Sequence, residues 1–358
     1  MKRSPAAILL VALLGVGCVG SVEHVTSCEP GDGLVPVCGF INPEDLAVAP
    51  GGEWLFVSQY PSAREGEVSN GSLVAFRPSD GAKRKLFPVA STTAETSLGD
   101  PSCTEPPDAA RFAPHGIDLR HGSHGDQLLV VNHGGREAIE FFAVESADGE
   151  PRLRWVGCIP LPDGDKANDV VGLEGDGVIA TRMLPRASGP VSMVRMALGW
   201  NTGFLLEWQP ASGWSQLPGT EDSGPNGVEL SPDETQVYYA AWGGKRLVRI
   251  GRDGTDRVEH DLDFHPDNLT WSPDGRLLVA GQIDALSGIT SCMEKESGTC
   301  GLAIAVDALE PGSFELTPLL RHDPARVGGA ASVALEHESV LWIGTFSGDR
   351  LLRVEEMP

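Results

Sequence analysis

One phrase recurs along this 358-residue chain and constrains its fold more than any other feature. An apolar run with strand-like alternation leads into a turn rich in Pro, Asp and Gly, and a second apolar run follows. Residues 269–279 give the clearest copy, with Ser272-Pro273-Asp274-Gly275 as the turn. Proline fixes φ and glycine accepts a positive φ, so such a turn joins two antiparallel strands. The sequence therefore predicts a chain built from hairpins.

The number of copies predicts the architecture. Six copies begin near residues 46, 117, 171, 228, 269 and 333, and the spacing between them suits units of four short strands. Such units bury both faces of their sheets only by packing on neighbours, and six of them arranged radially form a β-propeller. A pair of β-sandwiches also accounts for the strands, but it does not account for the recurring Ser-Pro-Asp turn. We therefore predict an all-β, six-bladed β-propeller over residues 41–358.

The N-terminus has the pattern of an export signal. Lys2 and Arg3 precede an apolar run at residues 6–16, which is too short for a permanent membrane span. Residues 1–17 are therefore predicted to be a signal peptide, and residues 18–40 to be a leader or linker with a small disulfide loop.

Cys18 directly follows a small residue, as in a bacterial lipoprotein signal. This pattern favours a cell-envelope protein whose membrane attachment is a lipid on Cys18. Ordinary cleavage is the alternative, because Gly15 and Gly17 also form a small-x-small cleavage site, and the product would then be secreted.

The other cysteines are expected to form disulfides. Export places them in an oxidising compartment, and six is an even number, although six cysteines allow fifteen pairings. Two short loops form natural local pairs and leave a third pair, giving Cys28–Cys38, Cys292–Cys300 and Cys103–Cys158. No CxxC spacing occurs, which argues against a zinc or redox site.

Charge and missing motifs exclude several function classes. Fifty acidic residues against 27 basic residues give a formal charge of −23. Binding to nucleic acids or to an anionic membrane surface requires a basic surface, so neither is expected as a partner. The sequence also contains no Gly-x-Ser-x-Gly, His-Glu-x-x-His, Walker or Rossmann glycine motif. The acidic excess suits solubility, and it also provides carboxylates for a divalent cation.

Acid and amide side chains precede the first strand of four of the six units. They are Glu44-Asp45, Asn168-Asp169, Asn226-Gly227 and Asp267-Asn268. Innermost strands of a propeller start at one end of its central channel, so these side chains are predicted to converge. Ca²⁺ binds carboxylate, amide and backbone oxygens. Asn and Asp are also common turn residues, which explains any single pair but not the same offset in four units.

In this order, these phrases resemble the calcium-dependent paraoxonase and arylesterase family, within the wider gluconolactonase-like six-bladed propellers. The resemblance also includes Pro114-His115-Gly116-Ile117, residues 128–133 and the turn at 231–233, and it extends from about residue 44 to about residue 282. It implies two calcium ions in a central tunnel. The catalytic ion would be held by Glu44, Asn168, Asn226, Asp267 and Asn268, and the deeper structural ion by Asp45, Asp169 and the backbone carbonyl of Ile117.

The resemblance also implies a catalytic histidine pair, with His115 as the base and His133 as its orienting partner. Calcium would polarise an ester or lactone carbonyl and stabilise the oxyanion, while His115 takes a proton from water. A histidine beside a strand is more commonly an ordinary satisfied polar residue, so this role depends on the nearby ligand set. The resulting expectation is a calcium-dependent arylesterase or lactonase acting on a small ester or lactone.

Two other functions stay open. One is a non-catalytic, calcium-stabilised propeller that binds a partner or ligand at the cell envelope, and the other is a gluconolactonase-type sugar-lactone enzyme. The chain also departs from the family. Thr181-Arg182-Met183 stands where relatives usually have Asn or Asp near the pocket mouth, so Arg182 is expected to change the substrate charge preference or to accompany lost activity. No cysteine follows Cys300, so the family's disulfide between the two ends cannot form.

Overall fold

Strands dominate the structure, a computed structural model. It describes residues 22–355 except 65–66, 90–93, 123, 186–188, 284–287, 289–290 and 293–297. The predicted signal peptide and Cys18 lie outside the described residues.

In the first three blades, strands that follow one another along the chain mostly lie side by side. Blade 1 contains β3 (Pro43–Val48), β4 (Leu55–Gln59), β7 (Ser72–Arg77) and β8 (Ala82–Phe87). Blade 2 contains β10 (Pro114–Gly122), β11 (Gly125–Asn132), β12 (Ala138–Ala147), β13 (Glu150–Pro160) and β9 (Ala94–Gly99). Blade 3 contains β14 (Lys166–Gly172), β15 (Val178–Leu184), β16 (Phe204–Gln209) and β17 (Gly213–Gln216).

The other three blades follow the same plan. Blade 4 contains β18 (Pro225–Leu230), β19 (Gln236–Ala241), β20 (Arg246–Gly251) and β21 (Val258–Asp261). Blade 5 contains β22 (His265–Trp271), β23 (Leu277–Gln282), β25 (Ile304–Glu310) and β26 (Glu315–His322). Blade 6 contains β27 (Ala331–His337), β28 (Val340–Thr345), β29 (Arg350–Val354) and β2 (Leu34–Cys38).

A few short elements lie outside the blades. β1 (His24–Val25) pairs with β24 (Thr299–Cys300), and β5 (Ser62–Arg64) pairs with β6 (Glu67–Ser69). The α-helix α1 (Pro190–Ala197) lies between β15 and β16, and 3-10 turns occupy Pro162–Gly164 and Glu174–Asp176. Within the described ranges, no helix is long and apolar enough to cross a membrane.

The six sheets form a closed ring. Each of the inner strands β3, β10, β14, β18, β22 and β27 contacts the inner strand of the next blade, and β27 returns to β3. This arrangement confirms the predicted all-β, six-bladed β-propeller and excludes the pair of sandwiches.

The core lies between the blades. In β11, Leu128 and Val130 pack with blade 1, whereas Leu129 and Val131 pack with blade 3. Side chains alternate between the two faces of a strand, so a strand buried on both faces must be a continuous apolar run. This is why the repeats carry apolar runs such as Leu-Leu-Val-Val at residues 128–131.

The ring is closed by a strand from the N-terminal segment. β2 pairs antiparallel with β29, with Leu34 opposite Val354 and Cys38 opposite Arg350. The segment 18–40, predicted as a leader, therefore contributes the outermost strand of blade 6. Leu34 is buried in the same cluster as Ile343 and Leu352, so closure depends on apolar packing as well as on hydrogen bonds.

All three predicted disulfides are present: Cys28–Cys38, Cys103–Cys158 and Cys292–Cys300. The first closes the small loop expected near the N-terminus. Cys103–Cys158 ties the connection between blades 1 and 2 to β13, beside which β9 runs as a parallel fifth strand.

The closure can be tested by truncating one side chain. In Leu34→Ala, the free energy of unfolding should fall by about 2–5 kcal/mol, as for other buried leucines. The neighbouring half-buried Val35 is the matched control, and Val35→Ala should cost clearly less. Equal effects in denaturant titrations would contradict a closure that depends on Leu34.

Candidate functional site

A β-bulge interrupts the start of every inner strand. The ladder pairing shifts between Pro43/Asp45, Pro114/Ile117, Ala167/Val170, Pro225/Val228, Pro266/Leu269 and Ala331/Ala334. Residues in a bulge leave the regular ladder, and the strand bends so that their side chains are re-aimed. The bulges contain Glu44, His115, Asn168, Asp169, Asn226, Asp267 and Asn268. We call the end of the channel where these strands begin the His115 end.

Two bulges depend on glycine. A Cβ atom on Gly116 would lie 2.3 Å from Asp169 Oδ1, and one on Gly227 would lie 2.5 Å from the Asp267 carbonyl oxygen. Each contact is with the inner strand of the next blade. Glycine therefore allows neighbouring inner strands to approach more closely than any side chain would permit.

The five predicted ligands of the catalytic ion are buried, and hydrogen bonds join four of them in pairs. They are Glu44, Asn168, Asn226, Asp267 and Asn268. Asn268 Nδ2 donates to Glu44 Oε1 at 3.1 Å, and Asn226 donates a side-chain hydrogen bond to Asp267. The structure thus brings two of these residues from blade 5 next to partners from blades 1 and 4, which are remote in sequence.

Four oxygen atoms of this group have no hydrogen-bond partner although they are buried. They are Glu44 Oε2, Asn168 Oδ1, Asn226 Oδ1 and Asn268 Oδ1. A buried polar atom without a partner costs about 1–3 kcal/mol. Four acceptor oxygens with no donor suit a hard cation, which binds oxygen and needs no proton. Nowhere in the described part of the chain do three His, Cys, Asp or Glu side chains form a metal-binding group, and here amides supply three of the four oxygens.

Neighbouring side chains orient these ligands. Asn168 Nδ2 lies 3.7 Å from the Met183 sulfur, which leaves Asn168 Oδ1 free. Gln282 Nε2 donates to Asp267 Oδ2 at 2.6 Å, and Trp242 Nε1 donates to Gln282 Oε1 at 3.1 Å. Sequence reasoning missed Gln282, although a glutamine at the end of the apolar run Leu-Leu-Val-Ala-Gly is a visible signal of a buried polar role.

The two acids predicted for the deeper ion repeat one hydrogen-bond pattern. Asp45 accepts the N–H of Leu46 at 2.8 Å and that of Ile117 in blade 2 at 2.7 Å. Asp169 accepts the N–H of its own neighbour Val170 at 2.8 Å and, across to blade 4, that of Val228 at 2.8 Å. Both carboxylates therefore join blades. Ile117 takes part in this pattern by donating its backbone N–H to Asp45. The role of its carbonyl as a metal ligand stays a prediction.

Beyond these acids, a cavity of about 350 Å³ opens towards the other end of the channel. Asp45 and Asp169 line it together with two further acids, Asp118 and Glu229. Asp118 accepts the N–H of Gly172 at 2.8 Å, which repeats the blade-to-blade pattern. Sequence reasoning did not select Asp118 or Glu229, because a lone acid in a strand shows its direction only once the register is known.

Burial dominates the electrostatics of the channel. Desolvation raises the pKa of Glu44 well above its usual value, and the nearby Asp45 and Asp267 raise it further. Burial raises the pKa of Asp45 to about 8 and that of Asp267 to about 7, even though hydrogen bonds to both carboxylates oppose the shift. The pKa values of Asp169, Asp118 and Glu229 are raised by burial too. Without a neutralising cation, ionising these groups costs free energy.

The two predicted histidines are adjacent. His115 Nδ1 lies 3.1 Å from His133 Nε2, and His115 Nε2 lies 3.6 Å from Glu44 Oε1. Burial, and then the neighbouring His133, hold the pKa of His115 well below its usual value, so its ring is neutral near pH 7. The Tyr60 ring packs 4.9 Å from His115. Sequence reasoning missed Glu137, whose Oε2 lies 2.6 Å from His133 Nδ1.

Arg182 has a charge partner. Its guanidinium binds both oxygens of Asp165, at 2.8 and 3.2 Å, and lies over the Phe204 ring at 4.6 Å. Because the pair is neutral overall, Arg182 does not present an isolated positive charge. The expected effect of Arg182 on substrate charge preference or activity stays a prediction.

Comparisons with known proteins support the fold. No protein-family model matches the chain, and no curated protein sequence matches it. Among solved structures, a gluconolactonase from Xanthomonas campestris is 17% identical, with 91% of this chain and 89% of that chain covered and a TM-score of 0.53.

Two further structures are similar. A putative gluconolactonase is 13% identical, with 90% and 91% covered and a TM-score of 0.53. Regucalcin from Agrobacterium tumefaciens, described as a calcium-binding protein, is 12% identical, with 90% and 92% covered and a TM-score of 0.50. At these identities the likeness shows the fold alone. It agrees with the wider gluconolactonase-like propellers and does not single out the paraoxonase family.

The raised pKa values predict how pH affects the metal-free protein. In excess chelator, the free energy of unfolding should fall as the pH rises from about 5 to about 8, because the folded state holds protons that the unfolded chain releases near pH 4. Asp45 and Asp267, with pKa values of about 8 and about 7, contribute within this window. Denaturant titrations at several pH values measure the slope.

The control variant is Asp267→Asn, which removes one of these ionisable groups and should make the decline shallower. Saturating Ca²⁺ should remove most of the decline in the unaltered protein. An unfolding free energy that stays constant or rises over this range in chelator would show that the channel carboxylates are not held as the structure places them.

Proposed function

We propose that this chain is a calcium-dependent hydrolase of small esters or lactones whose reaction takes place at the His115 end of the channel. The observation that carries the proposal is the group of four buried, unpartnered oxygens beside a histidine pair. The fold shared with a gluconolactonase and with a calcium-binding regucalcin supports it.

The proposed ligand sets are those that the family resemblance implies, and the burial of their side chains supports them. Glu44, Asn168, Asn226, Asp267 and Asn268 would hold the catalytic ion, and Asp45, Asp169 and the Ile117 carbonyl would hold a second, structural ion. When bound at the first site, calcium supplies a Lewis acid that polarises the substrate carbonyl and stabilises developing negative charge.

The chain's own residues supply the base. His115 is neutral near pH 7 because burial lowers its pKa, so it can accept a proton from water at Nε2. The protonated ring would then lie close to Glu44, whose Oε1 is 3.6 Å away, and this carboxylate would stabilise the new positive charge. Tyr60, packed on His115, limits the movement of the ring.

Location and partners follow from the sequence alone. We propose an exported protein, attached to the cell envelope by a lipid on Cys18 or else secreted, with a small ester or lactone as its ligand. No nucleic acid partner is expected, because the chain is strongly acidic.

A second candidate is a non-catalytic, calcium-stabilised propeller that binds a partner at the cell envelope. It is favoured by α1 and the residues just after it, where Val191, Val194, Leu198 and Trp200 are exposed. Calcium binding without turnover would support this alternative.

Activity is the first test. The protein with Ca²⁺ should hydrolyse members of a panel of lactones and aryl esters, and His115→Gln should lower kcat/KM about 10²- to 10⁴-fold through loss of the base. Glu44→Gln should also lower kcat/KM, through weaker ion binding. The matched control is His124→Gln, because His124 is a surface histidine paired with Asp176. The kcat/KM of this variant should equal that of the unaltered protein. Folded, calcium-loaded protein with no turnover on any substrate would exclude the hydrolase.

Removing one unpartnered oxygen is a second test, because it should affect stability differently in chelator and in Ca²⁺. Asn168→Leu removes the buried, unpartnered Oδ1. In excess chelator, the free energy of unfolding of this variant should therefore equal or exceed that of the unaltered protein. The stabilisation by added Ca²⁺, about 2.7 kcal/mol at 100 times Kd for one site, should shrink strongly. Calcium that stabilises both proteins equally would show that Asn168 is not a ligand.

A further inference from the structure

We propose that Glu137 is a positioning residue for the hydrolysis: it fixes the tautomers of both histidines so that His115 presents an unprotonated Nε2 to the channel. The proposal rests on the hydrolase function proposed above. It adds a third member to the histidine pair.

Glu137 holds the ring proton of His133 on Nδ1. Glu137 Oε2 lies 2.6 Å from His133 Nδ1. A carboxylate only accepts hydrogen bonds, so the proton of this bond belongs to Nδ1. In the neutral form of His133 the ring carries this one proton, and its Nε2 is an acceptor.

The tautomer of His133 in turn fixes the tautomer of His115. His133 Nε2, now an acceptor, lies 3.1 Å from His115 Nδ1, so His115 must carry its proton on Nδ1. His115 Nε2 is left with a free lone pair, and Glu44 Oε1 lies 3.6 Å from it, beyond hydrogen-bond length. Two acceptors that face each other across this distance leave room for a proton donor. A water molecule that attacks the substrate is such a donor.

The hydrolysis uses this free lone pair on His115 Nε2. The water O–H bond breaks, its proton goes to His115 Nε2, and the water oxygen bonds to the ester or lactone carbonyl carbon. When the tetrahedral species collapses, the bond from the carbonyl carbon to the leaving oxygen breaks and the proton on Nε2 passes to that oxygen. No second proton has to move, because His115 Nδ1–H donates to His133 throughout. The other tautomer would place a proton on Nε2 and block the first transfer.

The local structure holds Glu137 in place, and the bond that its carboxylate makes among the described residues is the one to His133. The His133 N–H donates to the Ala113 carbonyl at 3.0 Å, and the Leu161 N–H donates to the Glu137 carbonyl at 3.0 Å. Both ends of this short segment are therefore fixed through the backbone.

The nearby Glu140 has a structural role, which its hydrogen-bond partners show. It binds Arg136 at 2.6 and 2.7 Å and Trp155 Nε1 at 2.9 Å. The carboxylate of Glu137, by contrast, faces a histidine of the site.

The test combines a spectroscopic signature with kinetics on the full, calcium-loaded protein. With ¹⁵N-labelled histidine, the ring nitrogen shifts should show His115 and His133 with the proton on Nδ1. In Glu137→Gln the side-chain amide can also donate to Nδ1, so a population with the proton on Nε2 should appear. We expect kcat to fall about 10- to 100-fold with KM little changed, as for other residues that orient a site histidine.

Two further variants complete the experiment. Glu137→Asp keeps a carboxylate and should restore the Nδ1–H tautomer and part of kcat. Glu145→Gln removes a surface carboxylate of the same sheet, which pairs with Arg154, and should change neither readout. Tautomers that are unchanged in Glu137→Gln, or a kcat equal to that of Glu145→Gln, would overturn the proposal. The tautomers are measured without substrate, so a chain with no turnover refutes the hydrolase while the ¹⁵N shifts still test Glu137.

Discussion

The bulge at the start of each inner strand is the constraint on which the site depends. A regular ladder would pair the backbone at these positions and send alternate side chains into the spaces between blades. The bulge releases these residues at the His115 end instead. Gly116 and Gly227 let the next blade approach closely enough for the released side chains to meet. The same local break therefore places both the buried oxygens and His115 at this end, where His115 meets His133 from the end of β11.

Burying these polar groups lowers the free energy of unfolding, and the rest of the propeller offsets this loss. The channel carboxylates are buried close together, and burial raises their pKa values. Asp45 and Asp169 recover part of the loss by accepting N–H groups from neighbouring blades. The apolar contacts between blades and the β2–β29 closure supply stability from elsewhere. Unpartnered oxygens that persist in such a framework fit a ligand site better than a packing defect.

Much of the fold and part of the site could be predicted from the sequence, and the rest depends on contacts that the sequence does not display. The turn phrase is local, so its six copies predicted the blades, and polar residues at the same offset in four units predicted that their side chains lie near one another. The β2 closure was missed because a five-residue strand containing Pro36 looks like a linker and its partner lies at the other end of the chain. Glu137 and Gln282 were missed because their partners become visible only through the register and the bulges.

A crystal structure of the protein grown with Ca²⁺ tests the central claim most directly. We expect an ion at the His115 end, bound by Glu44, Asn168, Asn226, Asp267 and Asn268 through oxygens that include the four now without partners. A structure in which these oxygens contact only water or one another, with no ion among them at saturating calcium, would contradict the claim that they form a calcium site.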